Sequence, residues 1–245
     1  MRRPVLLVVA HGSRDPRHAA TVHDLVRRVR AQRPGLRVET GFLDFNVPSV
    51  GAVLESLDAE GVRDVVALPL LLTRAFHAKA DIPAVLSEAP PRLRIRQAEV
   101  LGPSPLLVAA LERRLYEAGL TPADKSSTGV VLASAGSSDP EAIAVIADVA
   151  REWRHTGWCA VRPAFASASL PRTEDAVREL RELGCARVAV APYVLAPGRL
   201  PDRIARGAAE ADVLADVLGP SPEVAQVLLE RYDAARTPLL TALGA

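Results

Sequence analysis

The chain has 245 residues, of which 49% are hydrophobic and 24% are charged, and its formal net charge is +1. This composition supports one large or two small domains, and the net charge gives no electrostatic argument for binding to nucleic acids or anionic membranes. The only cysteines, Cys159 and Cys185, form no CxxC pair, so we expect buried, reduced thiols. The first apolar run is too short for a signal peptide, and no run approaches a membrane span. We therefore expect a cytoplasmic protein.

The first predicted strand ends at a histidine. Residues 6–10 are all apolar, which is typical of a parallel strand that is buried on both faces. His11 and Gly12 follow, and Asp15 and Pro16 then supply an N-cap and a first residue for a helix. Ligands of open α/β sheets bind where strands give way to helices. A lone histidine is more often a core residue, so a functional His11 needs partners elsewhere in the chain.

The next two elements bring a carboxylate to an equivalent place. Apolar spacing predicts a helix over residues 17–32, on which His18 and His23 lie on different faces as surface residues. A second strand over 36–43 ends at Asp44.

The third predicted strand is followed by a second histidine. The remaining predicted elements of this region are a helix over 49–59, a strand over 65–72, a strand over 93–100 and a helix over 105–118. Pro69 lacks an N–H, so strand pairing should stop there. His77 lies in the loop beyond, before a helix that opens at Asp81. Arg94 and Arg96 predict an edge position for the fourth strand.

The pattern then repeats after residues 120–129, a polar stretch that predicts a linker. The opening strand with its Gly and Asp-Pro recurs, and LGPSP at 101–105 returns letter for letter at 218–222. We therefore predict an α/β protein with two tandem duplicated domains, each an open four-stranded parallel sheet flanked by helices. Their predicted bounds, 1–122 and 123–245, define the first half and the second half of the chain.

The two copies differ at the residues that carry chemistry. Ala135 replaces His11, Ser167 replaces Asp44, and the loop that matches His77 has no histidine. Because the second copy keeps the scaffold residues without these side chains, we infer that they serve function rather than folding. In a sheet ordered 2-1-3-4, the ends of the first three strands converge on one crevice. Two imidazoles and a carboxylate there suit a divalent first-row metal or general base chemistry.

The motifs that carry a family resemblance are VAHGSR at 9–14, GFLD at 41–44, and PLLL at 69–72 followed by Phe76-His77 and DIP at 81–83. In this order they resemble the sirohydrochlorin chelatases, which are small ATP-independent ferrochelatases and cobaltochelatases. The resemblance implies insertion of a divalent metal into a tetrapyrrole that is held between two lobes. The metal is then a substrate, Fe²⁺ or Co²⁺ with Ni²⁺ as a third candidate, and no cofactor is tightly bound. The product is sirohaem or a cobalt-corrinoid precursor.

The resemblance also implies roles for the three side chains. His11 and His77 act as metal ligand and base, and Asp44 completes the catalytic and metal-binding set. The family often has glutamate where this chain has Asp44, so the carboxylate here reaches one methylene less.

Neighbouring polar groups are candidates for binding the carboxylates of the tetrapyrrole. In the first half they are Ser13, Arg14, Arg74 and Lys79. In the second half we expect wall contacts from Ser134, Ser137, Ser138, Arg199 and Arg203. Each of these taken alone is an ordinary solvated side chain. The chain has no GxxxxGK[ST] and no GxGxxG motif, which argues against nucleotide-driven chelation and against dinucleotide redox chemistry.

Two other functions would use similar residues. A non-catalytic metal or tetrapyrrole carrier needs the same side chains without turnover. A histidine phosphatase also has a histidine after its first strand, but in an Arg-His-Gly motif, and here Ala10 precedes His11. We expect a tetrapyrrole and a divalent metal as partners, with no nucleic acid and no membrane, and we expect a monomer.

Overall fold

The computed structural model describes residues 3–74 and 80–236, and within them each half has four strands and four α-helices. The first half contains β1 (Val5–Ala10), α1 (Pro16–Gln32), β2 (Val38–Phe42), α2 (Val50–Ala59), β3 (Asp64–Pro69), α3 (Ile82–Ser87), β4 (Arg94–Gln97) and α4 (Pro105–Glu117). The second contains β5 (Thr128–Ser134), α5 (Pro140–Arg154), β6 (Ala160–Phe165), α6 (Thr173–Glu182), β7 (Arg187–Tyr193), α7 (Arg199–Gly207), β8 (Val213–Leu214) and α8 (Pro222–Arg236). None of the helices in these residues is long and apolar enough to cross a membrane.

Each half forms its own parallel sheet. The strand orders are β2-β1-β3-β4 and β6-β5-β7-β8, so the predicted order and the duplicated α/β fold are confirmed. The register of β1 with β3 ends where Val9 faces Pro69, the residue at which pairing was expected to stop, and the N–H of Leu70 still donates to the Val9 carbonyl at 2.8 Å. β4 lies at the edge, with Arg94 exposed. The carboxyl ends of β1, β2 and β3 therefore meet at one edge of the first sheet.

The hydrophobic core has three parts. All six residues of β1 are buried, because helices cover both faces of the sheet. The outer face of the first sheet packs against α2 and α3, and the outer face of the second packs against α6 and α7. The inner faces of both sheets contribute to one shared cluster, which includes Leu6 and Val8 from β1 together with Val130 and Leu132 from β5. A continuous apolar core therefore joins the two halves.

The last helix of each half packs on the sheet of the other half. α8 packs against β3 and β4, and α4 packs against β7. Arg231 of α8 donates to the Val100 carbonyl at 2.9 Å, and the Tyr232 hydroxyl donates to the Pro4 carbonyl at 2.7 Å. The side chains of Arg113 in α4 and Glu223 in α8 lie 2.8 Å apart. This exchange of helices fixes the position of one sheet relative to the other.

Glu112 of α4 accepts several hydrogen bonds where α4 meets the second half, at the joint between the two halves. Its Oε1 accepts hydrogen bonds from Lys125 Nζ at 2.7 Å and from the indole N–H groups of Trp153 and Trp158, each at 3.1 Å. Burial alone raises the pKa of Glu112, but the hydrogen bonds outweigh burial and lower the pKa below its ordinary value. The carboxylate therefore stays ionised where α4 meets the second half.

Two expectations about the second half need correction. Within the predicted linker, Pro122–Ser127 forms a 3₁₀ helix and Thr128 already belongs to β5. Thr121 begins this helix, and its backbone N–H donates to Asp124 at 2.8 Å, so these polar residues cap a helix.

Cys159 and Cys185 are both free thiols, but only Cys185 is buried. Cys159 is exposed at the residue just before β6, whereas Cys185 is covered by β5, where Gly129 lies against it.

Candidate active site

His11 lies directly beyond the carboxyl end of β1 and is half-buried. Its carbonyl accepts a hydrogen bond from the backbone N–H of Asp44 at 2.9 Å. Gly12 makes this approach possible, because its φ is +93° and a Cβ built there would lie 1.9 Å from the Asp44 carbonyl oxygen. Only glycine fits such a position without strain. The loops after β1 and β2 are therefore joined, with His11 and Asp44 as neighbours.

The Asp44 loop carries an exposed carboxylate. Oδ1 of Asp44 accepts from the backbone N–H of Phe45 at 2.8 Å, and the side chain is otherwise open to solvent. Asn46 Oδ1 accepts from the N–H of Ser13 at 2.8 Å. The Ser13 hydroxyl accepts from the N–H of Asp15 at 3.1 Å. Ser13, a predicted substrate contact, thus also fixes the loop that carries His11.

Phe45 is a rim residue that the sequence analysis missed. Its φ is 61°, an uncommon value for a bulky residue, and 51% of its surface is exposed. The guanidinium carbon of Arg14 lies 5.2 Å from the centre of the Phe45 ring, within the range of a cation–π interaction. In the second half the matching residue is Ala168, with φ 59°. A comparison of the two copies at this position could have singled out Phe45.

His18 corrects the expectation of two surface histidines on α1. His23 is exposed and places its ring edge against Phe42, as predicted. His18 is half-buried, and its Nδ1 is buried with no hydrogen-bond partner among the described residues. Burial lowers the pKa of His18, and the nearby imidazole of His11 lowers it further. The helical spacing separated His18 from His23 correctly, but it did not reveal that His18 faces the strand ends.

The second predicted histidine lies outside the described residues, as does Lys79. His77 belongs to the unassigned span 75–79, so its relation to His11 and Asp44 stays a prediction. Arg74, the last described residue before it, is exposed and has its Nη1 at 3.8 Å from Glu99. Within residues 3–74 and 80–236, no three His, Cys, Asp or Glu side chains form a group that could hold a metal ion.

A cavity of about 260 Å³ lies between the two halves at the carboxyl ends of their strands. Its walls come from Leu70 to Thr73 in the first half and from Ser134 to Ser137 and Tyr193 to Leu195 in the second. Ala142, the counterpart of His18, also lines it. Two of the five predicted second-half contacts, Ser134 and Ser137, therefore face the chain that leads to residues 75–79.

The other three predicted second-half contacts lie outside this cavity wall. Ser138 is exposed on the loop before α5, and Arg199 and Arg203 are exposed on α7. α7 is tied to the first half through Arg17, whose Nη2 lies 2.6 Å from Asp15 and 3.2 Å from Asp202. The amino end of α7 therefore stands beside the amino end of α1 at the rim.

Comparison with known proteins agrees with the duplicated two-sheet fold. A structure described as SirB from Bacillus subtilis with Fe³⁺ superposes with a TM-score of 0.81 at 25% identity, over 96% of both chains. A sirohydrochlorin cobaltochelatase of Priestia megaterium is 31% identical over 81% of this chain, and the match spans 66% of the relative. A sirohydrochlorin ferrochelatase of Bacillus subtilis is 27% identical over 83% of this chain and 78% of the relative.

A family model matches the two halves separately. The model is that of CbiX, and it aligns with residues 5–118 and again with residues 129–235. These two matches cover nearly all of both sheets and their helices, which agrees with the duplication. The chain therefore belongs to the CbiX family.

Proposed function

We propose that this protein inserts a divalent metal ion into sirohydrochlorin without ATP, with Fe²⁺ or Co²⁺ as the metal. Membership of the CbiX family and the named activities of its relatives support this assignment. The observation that carries it is the pair of joined loops that keep His11 and Asp44 side by side at the carboxyl edge of the first sheet.

The chemistry explains why imidazoles and a carboxylate are needed. Metal insertion requires the loss of two pyrrole N–H protons and the exchange of metal-bound water for ring nitrogens. A neutral imidazole can bind the metal or accept a proton, and a carboxylate can assist either task. We assign these roles to His11, His77 and Asp44, and the metal is a substrate that leaves with the product.

Charged groups at the rim suit the carboxylates of the substrate. The exposed guanidinium groups of Arg14 and Arg74 stand on the loops that flank His11 and lead to His77. Together with Ser13 and Lys79, they are the anchors that we propose for the acidic arms of the macrocycle. The exposed ring of Phe45, held under Arg14, offers an apolar surface to the flat ring system.

The second half supplies the opposite wall. It has no histidine at the matching strand ends, but it keeps the loops and places Ser134 and Ser137 in the cavity between the halves. A facing wall excludes water and restricts the orientation of the ring, and both effects favour reaction.

A turnover assay tests the proposal against a non-catalytic carrier. Sirohydrochlorin is supplied in large excess over protein under anaerobic conditions, with Fe²⁺ or Co²⁺ and no nucleotide, and the absorbance spectrum reports metal insertion. A chelatase converts many equivalents of tetrapyrrole per chain and exceeds the spontaneous rate. A carrier stops at one equivalent, and that result would refute the proposed activity.

The match to the CbiX family gives no support to the other alternative function, that of a histidine phosphatase.

A further inference from the structure

The two cysteines form a close pair at the end of the second sheet that lies opposite the candidate active site. The sulfur of Cys185 donates to the sulfur of Cys159 across 3.7 Å. Cys159 immediately precedes β6 and Cys185 precedes β7, whereas the active-site loops follow the carboxyl ends of their strands. The pair therefore lies at the amino ends of the strands, remote from the metal-insertion chemistry.

The backbone holds both cysteines in place. The N–H of Cys159 donates to the Lys125 carbonyl at 2.9 Å, and the N–H of Cys185 donates to the Leu180 carbonyl at 3.2 Å. Gly129 of β5 lies against Cys185, since a Cβ built on it would come within 2.8 Å of Cys185 Sγ. A larger residue at this point of β5 would push Cys185 away from its present position. The thiol pair is therefore supported by three separate segments.

The two sulfurs differ in exposure and in proton affinity. Cys159 is exposed, whereas Cys185 is 6% exposed. Burial raises the pKa of the Cys185 thiol to about 11, and its contact with Cys159 adds to the effect. The thiolate is the reactive form of cysteine, so Cys159 is the sulfur that an oxidant reaches first. Cys185 then reacts with Cys159, because the chain has no third cysteine.

We propose that Cys159 and Cys185 form a reversible intramolecular disulfide when the protein meets a hydroperoxide. The Cys159 sulfur attacks one oxygen of the peroxide and the O–O bond breaks. The sulfur keeps that oxygen as a sulfenic acid, and the other oxygen leaves with the thiol proton as water or an alcohol. The Cys185 sulfur then attacks the sulfenic sulfur, the S–S bond forms, and the hydroxyl leaves as water with the thiol proton. A small dithiol reverses the reaction and is itself oxidised to a disulfide.

The expected consequence is a more stable second half. The bond closes a loop between residues 26 positions apart that contains β6 and α6. Cross-linking a loop of this length removes conformational entropy from the unfolded chain. It also fixes the segment that carries Trp158, whose indole N–H binds Glu112 at the joint between the halves. Metal insertion should be unchanged, because the active-site loops lie at the other end of the strands.

The test is intact-mass spectrometry on the full chain after treatment with hydrogen peroxide, with and without later dithiothreitol. The wild type should lose the mass of two hydrogen atoms. When it is unfolded in denaturant, it should also lose both thiols towards a maleimide and recover both after reduction. Its Tm should rise by roughly 5–10 °C on oxidation. Cys159→Ser and Cys185→Ser should each abolish the mass loss and the rise in Tm.

Three results would overturn the proposal. One is a wild type that keeps two free thiols under peroxide that oxidises free glutathione. Another is a gain of two oxygen atoms on Cys159, which marks a sulfinic acid and shows that Cys185 does not react. A third is a disulfide between two chains, seen as a doubled mass without reductant.

Discussion

Gly12 determines the shape of the candidate site at the scale of a single residue. Its φ of +93° and the 1.9 Å from a built Cβ to the Asp44 carbonyl oxygen leave no room for a side chain. We predict that Gly12→Ala lowers the free energy of unfolding by at least about 2 kcal/mol, from backbone strain and overlap, and displaces His11 from Asp44. Urea denaturation and the metal-insertion rate would measure both effects.

Gly51→Ala is the matched control for this substitution. Gly51 lies in α2 with open space around a built Cβ, so alanine should raise the free energy of unfolding by about 0.5–1 kcal/mol. Equal effects of the two substitutions would show that the contact between the loops is unimportant.

His18 gives the protein a pH dependence that can be assigned to one residue. Burial, together with His11, lowers its pKa below the ordinary value of 6.5, whereas the carboxylate of Asp15 opposes the shift. The unfolded chain then binds a proton at a higher pH than the folded protein does. The free energy of unfolding should therefore be highest above about pH 6.5 and should fall as the pH drops through the lowered pKa of the folded state.

His18→Gln should remove part of this decline, whereas His23→Gln should leave it unchanged because His23 is exposed. Denaturation curves at a series of pH values between about 5 and 8, where histidine titrates, measure the difference. If both variants decline with pH as steeply as the wild type does, His18 has no such role.

The sequence identified some residues of the candidate site and missed others, and the reasons are physical. His11 and Asp44 were found because the duplicated half lacks them while keeping the loops around them. His18 was missed because the spacing along a helix fixes the angle between side chains but not the direction that the helix faces. Phe45 was missed because an aromatic residue near a strand end is typical of a core, and its left-handed backbone conformation is not visible in the sequence.

At the scale of elements, Glu112 shows how α4 is attached to the second half. We predict that Glu112→Gln lowers the free energy of unfolding by about 1–2 kcal/mol, because Lys125 loses its charged acceptor while the indole donors can still bind an amide oxygen. Chemical denaturation is the measurement. Glu55→Gln on the exposed face of α2 is the control and should change stability by about 0.5 kcal/mol or less. A Glu112→Gln variant as stable as the control would contradict this role.

Most elements followed from the sequence, because apolar runs and caps are local signals. The strand order also followed, since short right-handed crossovers allow few alternatives. The exchange of α4 and α8 did not follow. Both helices have ordinary apolar faces, and an apolar face does not indicate whether the helix packs on the sheet of its own half or of the other half. The polar stretch before β5 was misinterpreted because capping residues and linker residues are the same types.

At the scale of the whole molecule, the exchanged helices limit how the halves can be separated. A fragment that ends at residue 122 lacks α8, which packs on β3 and β4. Its inner face would lose the partners that complete the shared cluster. The division of labour between the halves is therefore better tested by substitutions in the full chain than by fragments.

A single added histidine should not turn the matching strand ends of the second half into an active site. We predict that His11→Ala combined with Ala135→His inserts metal no faster than His11→Ala alone. Ala135 occupies the position after β5 that matches His11, but Ser167 stands in place of Asp44 and donates its hydroxyl to the Ala135 carbonyl at 2.9 Å. Metal-insertion rates of the two variants, with thermal melts to check folding, measure this. Recovery to near the wild-type rate would show that one histidine is enough.

The central claim is that His11 and His77 of the first half perform metal insertion. The most direct measurement is the rate of metal insertion into sirohydrochlorin by His11→Ala, compared with wild type and with His23→Ala, another histidine of the same half that is exposed on α1. We predict that His11→Ala melts close to the temperature of the wild type and loses roughly 100-fold or more in rate, with His77→Ala similarly impaired and His23→Ala unaffected. A folded His11→Ala variant that inserts metal as fast as His23→Ala would contradict the account.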